Sequence, residues 1–350
     1  MLITQACSPS SQAPDITNAD AKREARLQRE IAIKTEMKYT QILQDVAYPI
    51  LTANVQLCGP DIAPYVGMIT QSKAVISEEN YEVAKDFYGV GEHPTVVILA
   101  EGSPASKVLR IGDVITHVNG EALKSGKAGH LALNQAIRKH TSPEPITFTI
   151  QRGDRIGTVQ VPLETACSYP VLFDNASTVN ASADGKRLYV TAGMMRFVET
   201  DAELALVIGH EMAHNSRSHI DAKRGNAVMG SVLGTVITVA TGVDVIGLGS
   251  HLAGSAYSQS FENEADYVGI YHTARAGFPI EDAPYLWRRM GAANAGAIHL
   301  KGTSHPSTAK RFLALEAAVK EIKAKQAAGL PLIPEEKVIK ASQDHQGLNK

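Results

Sequence analysis

A chain of 350 residues, 44% of them hydrophobic, has enough apolar surface to build two domains or one elaborated domain. Its 34 basic and 36 acidic residues nearly cancel, no basic block is present and only 5% of residues are aromatic, so composition argues for a globular protein and against a nucleic-acid binder. Three cysteines, Cys7, Cys58 and Cys167, stand too far apart for a Cys-x-x-Cys pair; they are separate thiols, or one long-range bridge with one cysteine left over.

Residues 1–18 read as a leader or linker. A small residue, Cys7 and then a Ser/Pro-rich stretch resemble the end of a bacterial lipoprotein signal, but no basic start or full apolar segment precedes Cys7. The two readings are a lipid anchor at Cys7, with peripheral membrane association in the bacterial envelope, and an ordinary frayed terminus.

From residue 18 to about 48 the pattern is helical and strongly charged, with Leu27, Ile31, Ile42 and Val46 as the recurring apolar positions. Pro49 predicts a break, followed by a second helical piece that ends near Gly59 and Pro60. Residues 95–100 read as a strand, residues 102–104 and 119–120 as turns around a short helical piece, and residues 114–118 as an alternating strand. Residues 131–139 read as a helix, and residues 146–161 as a hairpin.

This order, with Gly-Ser-Pro-Ala at 102–105, Arg-Ile-Gly-Asp-Val-Ile at 110–115 and Val-Asn-Gly at 118–120, resembles a PDZ domain. The resemblance implies capture of an extended peptide on a sheet edge with its terminal carboxylate in a backbone loop, for which residues 87–91 are the candidate. A purely structural role for the module stands beside that reading. Cys58 and Cys167 flank the module; a bridge between them would staple it to its host in an oxidising compartment, and two buried thiols are the alternative.

Residues 169–175 and 186–191 read as strands joined by a turn at 183–185. The run at 203–215 then places His210, Glu211 and His214 among apolar residues that leave no solvated face, which predicts a central helix. Four-residue spacing stacks the two imidazoles on one helical face, as two ligands of one zinc ion need, with Glu211 beside the water position. In zinc proteases a sheet edge beside the metal helix holds the substrate backbone, and residues 187–190 are the candidate.

The apolar, Gly- and Thr-rich residues 227–255 read as a buried helix or flap near the site, with membrane contact as a lesser option. Glu262 and Asp266 then share a helix face, where two carboxylates repel unless a cation or donor lies between them. Zinc and a ligating histidine supply both: Glu262 reads as the third ligand and Asp266 as the group that orients an imidazole. Glu264 points away and reads as solvated, His219 as a surface or supporting residue, and His251 and His272 as structural.

His-Glu-x-x-His at 210–214, Glu-x-x-Ala-Asp-x-x-Gly at 262–269 and His-Pro-Ser-Thr-Ala-Lys-Arg at 305–311 together resemble the zinc metallopeptidase family of the CAAX prenyl endopeptidase and HtpX, the gluzincin type, especially its soluble BepA-like envelope branch. The resemblance covers residues 168–320. It implies one zinc on His210, His214 and Glu262, Glu211 as general base, and His305 and Arg311 near the cleft, in contact with substrate or transition state.

The fold class so implied is α+β: a mainly helical zincin-like metallopeptidase domain with a small sheet, carrying an inserted PDZ-like β-rich domain. Its parts are a helical N-terminal piece at 19–80, the PDZ-like domain at 81–166, the peptidase domain at 167–322 and a tail at 323–350. The implied activity is zinc-dependent endoproteolysis of misfolded or envelope polypeptides in periplasmic quality control. The rival reading is a PDZ-bearing chaperone or assembly factor with a closed zinc site, His305 being its one candidate fourth ligand.

Overall fold

The computed structural model of the chain describes residues 14–223, 225, 259–293 and 309–336. Cys7, His251 and His305, and the apolar stretch at 227–255, lie outside the described residues.

Helix α1 spans Asn18–Ala53. Thr17 caps it, its hydroxyl accepting from the Asp20 N–H at 3.1 Å. The predicted break does not occur: α1 runs through Pro49, because its last turns carry Leu43, Val46, Ala47, Ile50 and Leu51 into the largest core. That burial outweighs the roughly 3 kcal/mol that a helix-interior proline costs. The apolar repeat of the first half also divides differently. Leu27 and Ile31 are exposed, and Ile33 and Met37 turn inward onto Val83, Ala84, Val97 and Ile98. One helix therefore serves two bodies, its first half against the β-rich unit and its second inside the helical one.

The β-rich unit contains strands β1 (Ile62–Tyr65), β2 (Met68–Gln71), β3 (Thr95–Leu99), β4 (Val114–Val118), β5 (Glu121–Ala122), β6 (Ile146–Arg152), β7 (Arg155–Val161) and β8 (Glu164–Cys167). Helices α2 (Glu78–Tyr88) and α3 (Gly126–Arg138) lie between them. The sheet order is β2-β3-β4-β6-β7, with β5 on β4, around a core of Phe148, Ile115, Leu133 and Ile146. The unit thus begins ahead of residue 81, since β2 is hydrogen-bonded into its sheet; residues 62–65 and 68–71 are strands and not part of a helical N-terminal piece. Strands β1 and β8 pair antiparallel as a stem, Ile62 opposite Cys167, and a Cys58–Cys167 disulfide with Cα atoms 5.7 Å apart closes its base.

The helical unit opens with strands β9 (Val171–Asp174), β10 (Ala181–Ala183) and β11 (Leu188–Thr191). Their order is β10-β11-β9, β11 being antiparallel to β10 and parallel to β9. A third strand, β10, therefore intervenes in sequence between the two that the sequence suggests and pairs on the far side of β11 from β9, and the turn at 184–185 joins β10 to β11. Helices α4 (Ala192–Phe197), α5 (Asp201–Ser216), α6 (Gln259–Arg275), α7 (Ala283–Ala293) and α8 (Ala309–Ala327) complete the described part.

Helix α5 is the centre of this unit: residues 203 to 215 are all buried. Its start is fixed reciprocally, the Thr200 hydroxyl accepting from the Glu203 N–H and the Glu203 carboxylate from the Glu199 N–H. Helices α5 and α6 cross closely at two glycines. A Cβ on Gly209 would lie 2.5 Å from the Gly269 carbonyl oxygen, and one on Gly269 would lie 2.7 Å from His210 Cα. Only residues without a side chain let the helix of the two histidines approach the helix of the two carboxylates.

Candidate metal centre

That crossing brings three donors together. His210, His214 and Glu262 each offer a ligand atom, all within 4.8 Å of one another and all buried. The two Nε2 atoms face each other at 3.2 Å, and Glu262 lies 3.6 Å from His210 Nε2 and 3.5 Å from His214 Nε2. Two imidazole nitrogens and a carboxylate oxygen converging in a buried site are a donor set that suits zinc, three of the four ligands it usually takes. Glu211, 3% exposed, follows His210 on the same helix.

The second carboxylate of α6 stands behind the first histidine. Asp266 Oδ1 is 3.1 Å from His210 Nδ1, so it can hold the imidazole with Nε2 directed at the other donors. Arg311 grips Asp266 with both arms of its guanidinium, Nε to Oδ2 at 2.7 Å and Nη2 to Oδ1 at 2.8 Å, and sets Nη1 2.9 Å from Glu262. Burial by itself raises the Asp266 pKa; the hydrogen bonds from Arg311 and His210 outweigh it and hold the carboxyl below its ordinary value. Burial lowers the Arg311 pKa, but Asp266, Glu262 and Glu211 more than restore it.

The resemblance implies Arg311 at the cleft in reach of substrate. The structure instead buries it, at 3% exposure, against the Glu262 and Asp266 carboxylates. Trp287 of α7 covers the same arm of the site, its ring 5.0 Å from the His210 ring and 5.9 Å from the Arg311 guanidinium.

Residues 158–319 match the model of peptidase family M48, and residues 74–163 match that of the PDZ domain. The helical unit is an M48 peptidase domain. Among curated relatives, the mitochondrial metalloendopeptidase OMA1 of Arabidopsis thaliana is 30% identical over 41% of this chain and 30% of its own length. OMA1 of Schizosaccharomyces pombe is 30% identical over 41% of this chain and 44% of its own. The beta-barrel assembly-enhancing protease of Yersinia pestis is 27% identical over 33% of this chain and 27% of its own. The chain thus spans less than half the length of these relatives. Among solved structures, the HtrA3 PDZ domain bound to a phage-derived ligand covers 30% of this chain and 88% of that one, at 19% identity and a TM-score of 0.23.

Two features of the M48 domain escape a reading by helical period. His219, five residues beyond His214, points elsewhere on a continued helix. Helix α5 ends at Ser216, however, and Ser218 takes a left-handed φ of 54° that turns the chain back beneath the site. His219 is consequently buried, with Nδ1 3.0 Å from His214 Nδ1 and Nε2 3.1 Å from Glu264 Oε2. Glu264 is therefore not simply solvated, though its side chain is 42% exposed. Burial lowers the His219 pKa, with Glu264 opposing.

The second feature concerns the sheet edges. Strand β11, which contains most of residues 187–190, is the central strand, paired on both sides, and cannot accept a substrate strand. The edge nearest the metal helix is β10, and Asn215 of α5 ties it in place: its Oδ1 accepts from the Gly185 N–H at 2.8 Å and its Nδ2 donates to the Arg187 carbonyl at 3.3 Å.

The PDZ domain needs a parallel correction. Residues 87–91 lead into β3, which is paired with β2 and β4, and Phe87 faces α1 under the Lys34 ammonium. Among the described residues the edge strands of this sheet are β2 and β7, and β2 is preceded by Val66 and Gly67, whose carbonyls accept from the Ala105 and Ala100 N–H groups.

Proposed function

We propose that this chain is a zinc-dependent endopeptidase. The convergence of His210, His214 and Glu262 beside Glu211 carries the proposal; the peptidase family match and the metalloendopeptidase relatives support it. Zinc, when bound by these three residues, supplies a Lewis acid that lowers the pKa of water to about 7 and polarises a carbonyl. Glu211 is the general base: it takes the proton of the attacking water and passes it to the leaving amine. Asp266 and Arg311 keep His210 and Glu262 oriented and compensate their charge. The substrate backbone adds to the free edge of β10 as an extended strand.

The substrates are unfolded or misassembled polypeptides of the bacterial envelope, and the PDZ domain selects them by an extended C-terminal segment laid along β2. The Cys58–Cys167 disulfide supports an oxidising, periplasmic compartment. A lipid on Cys7 would tether the enzyme to the membrane; among the described residues no helix is long and apolar enough to cross one.

Incubation of the pure protein with unfolded substrates tests the activity. Chelator-sensitive fragments are expected from the wild type, and none from Glu211→Gln loaded with zinc to the same stoichiometry. Wild-type turnover by Glu211→Gln would refute the role of Glu211, and cleavage that survives full zinc removal would refute the metal.

A further inference from the structure

We infer that His219 and Glu264 are a positioning pair for His214, fixing the second metal ligand through a chain of two hydrogen bonds that ends at the protein surface. The inference rests on the metal site proposed above. It explains why two histidine nitrogens meet Nδ1 to Nδ1 at 3.0 Å in a buried place.

Two neutral imidazoles can approach in that way only if one Nδ1 carries a proton and the other does not. His214 Nε2 faces His210 Nε2 and Glu262, so its lone pair is committed to the ion and the proton sits on Nδ1. Nδ1–H of His214 then donates to His219 Nδ1. His219, with Nδ1 accepting, bears its own proton on Nε2 and donates it to Glu264 Oε2 at 3.1 Å. Of the arrangements with both rings neutral, this one satisfies both contacts and leaves His214 Nε2 free to ligate. The ring of His219 is held flat against Phe261, centroids 4.7 Å apart and planes 21° from parallel, so the acceptor cannot swing away easily.

The two ligating histidines are thus supported by different chemistry. His210 is backed by a buried, charged pair, Asp266 with Arg311. His214 is backed by a neutral ring and by a carboxylate whose side chain is 42% exposed. Glu264, two residues before Asp266 on the same helix, links the second arm to a solvent-facing charge.

His219→Phe tests the pair, because it keeps a ring to stack on Phe261 and removes the acceptor. Zinc affinity, read by competition with a chromophoric chelator, is expected to fall about 10–100-fold. The visible spectrum of the cobalt-substituted protein should shift as His214 loses its fixed orientation, while the thermal midpoint of the metal-free protein stays within about 2 °C of wild type. Glu264→Ala should weaken zinc several-fold, and Glu264→Gln, whose amide oxygen still accepts, should restore most of the loss; this half-exposed position decides the matter even if His219→Phe does not fold. Wild-type zinc affinity and an unchanged cobalt spectrum in His219→Phe would overturn the pair, and wild-type affinity in Glu264→Ala would overturn Glu264's part. If the wild-type chain itself takes up no zinc, the metal assignment falls first, so the two failures are distinguishable.

Discussion

Arg311→Met removes the cation that lies between two buried carboxylates. The guanidinium lies 2.7 and 2.8 Å from the Asp266 oxygens and 2.9 Å from Glu262, and all three side chains are at most 4% exposed. Methionine fills a similar volume, so the main loss is charge compensation. Breaking one side of a buried ion pair costs about 3–5 kcal/mol, because the remaining charge is left without a partner. At a urea dependence of about 2 kcal/mol per molar, the unfolding midpoint of the metal-free protein should fall by about 1.5–2.5 M.

Zinc should recover part of this, since its charge also faces Glu262 but not the outer oxygens of Asp266. The assay is urea unfolding followed by fluorescence of Trp287, the sole tryptophan, whose ring lies against His210. It is run once with chelator and once with saturating zinc. The Asp266 pKa is depressed in the folded state, so its stabilisation is present above the unfolded carboxylate value and lost as pH falls. Arg311→Met should therefore flatten the acid limb of the stability profile, because burial then raises the Asp266 pKa and its acid-linked stabilisation is already gone at neutral pH. A variant with the wild-type midpoint in both conditions would refute the view that Arg311 compensates buried charge, and would return it to a substrate-facing role.

Two further predictions follow from the helix crossing. Burial lowers the His272 pKa to about 4 from an ordinary value of 6.5, with the Gly209 carbonyl opposing. The folded state binds fewer protons than the unfolded chain below pH 6.5, so stability is present above that value and lost as pH falls towards 4, by about 3 kcal/mol in all. His272→Gln in metal-free protein should flatten the stability profile between pH 4 and 6.5, and equal slopes in the two proteins would refute it. Gly269→Ala places a Cβ 2.7 Å from His210 Cα and 2.8 Å from its N, so backbone must move. It should cost about 1–3 kcal/mol in denaturant unfolding and reduce zinc content per chain; wild-type values for both would show that the helices can part freely.

The two halves of the site differ in how far they could be read without coordinates. His210, Glu211 and His214, and then Glu262 and Asp266, are legible because helical period fixes which side chains share a face within a turn or two. The strands and turns of the PDZ domain, and the possible pairing of Cys58 with Cys167, are legible from local turn chemistry and from position at the two ends of an insertion. These are properties of short segments, and short segments carry their own signals.

What the tertiary structure decided are relations that no local period contains. The left-handed Ser218 returns His219 under His214, although five-residue spacing on a continued helix predicts divergence. Strand order makes β11 internal and, among the described residues, places β10 and β2 at sheet edges, and order in a sheet depends on which distant segments pair. Core burial carries α1 through Pro49 and splits its two halves between two bodies. Arg311, on a helix remote in sequence, becomes the counter-charge of the site because packing of α8 against α6 buries it there. The residue types fixed which chemistry was available; the packing of distant helices fixed which of those residues meet, because a buried charge is tolerable only where the fold brings it a partner.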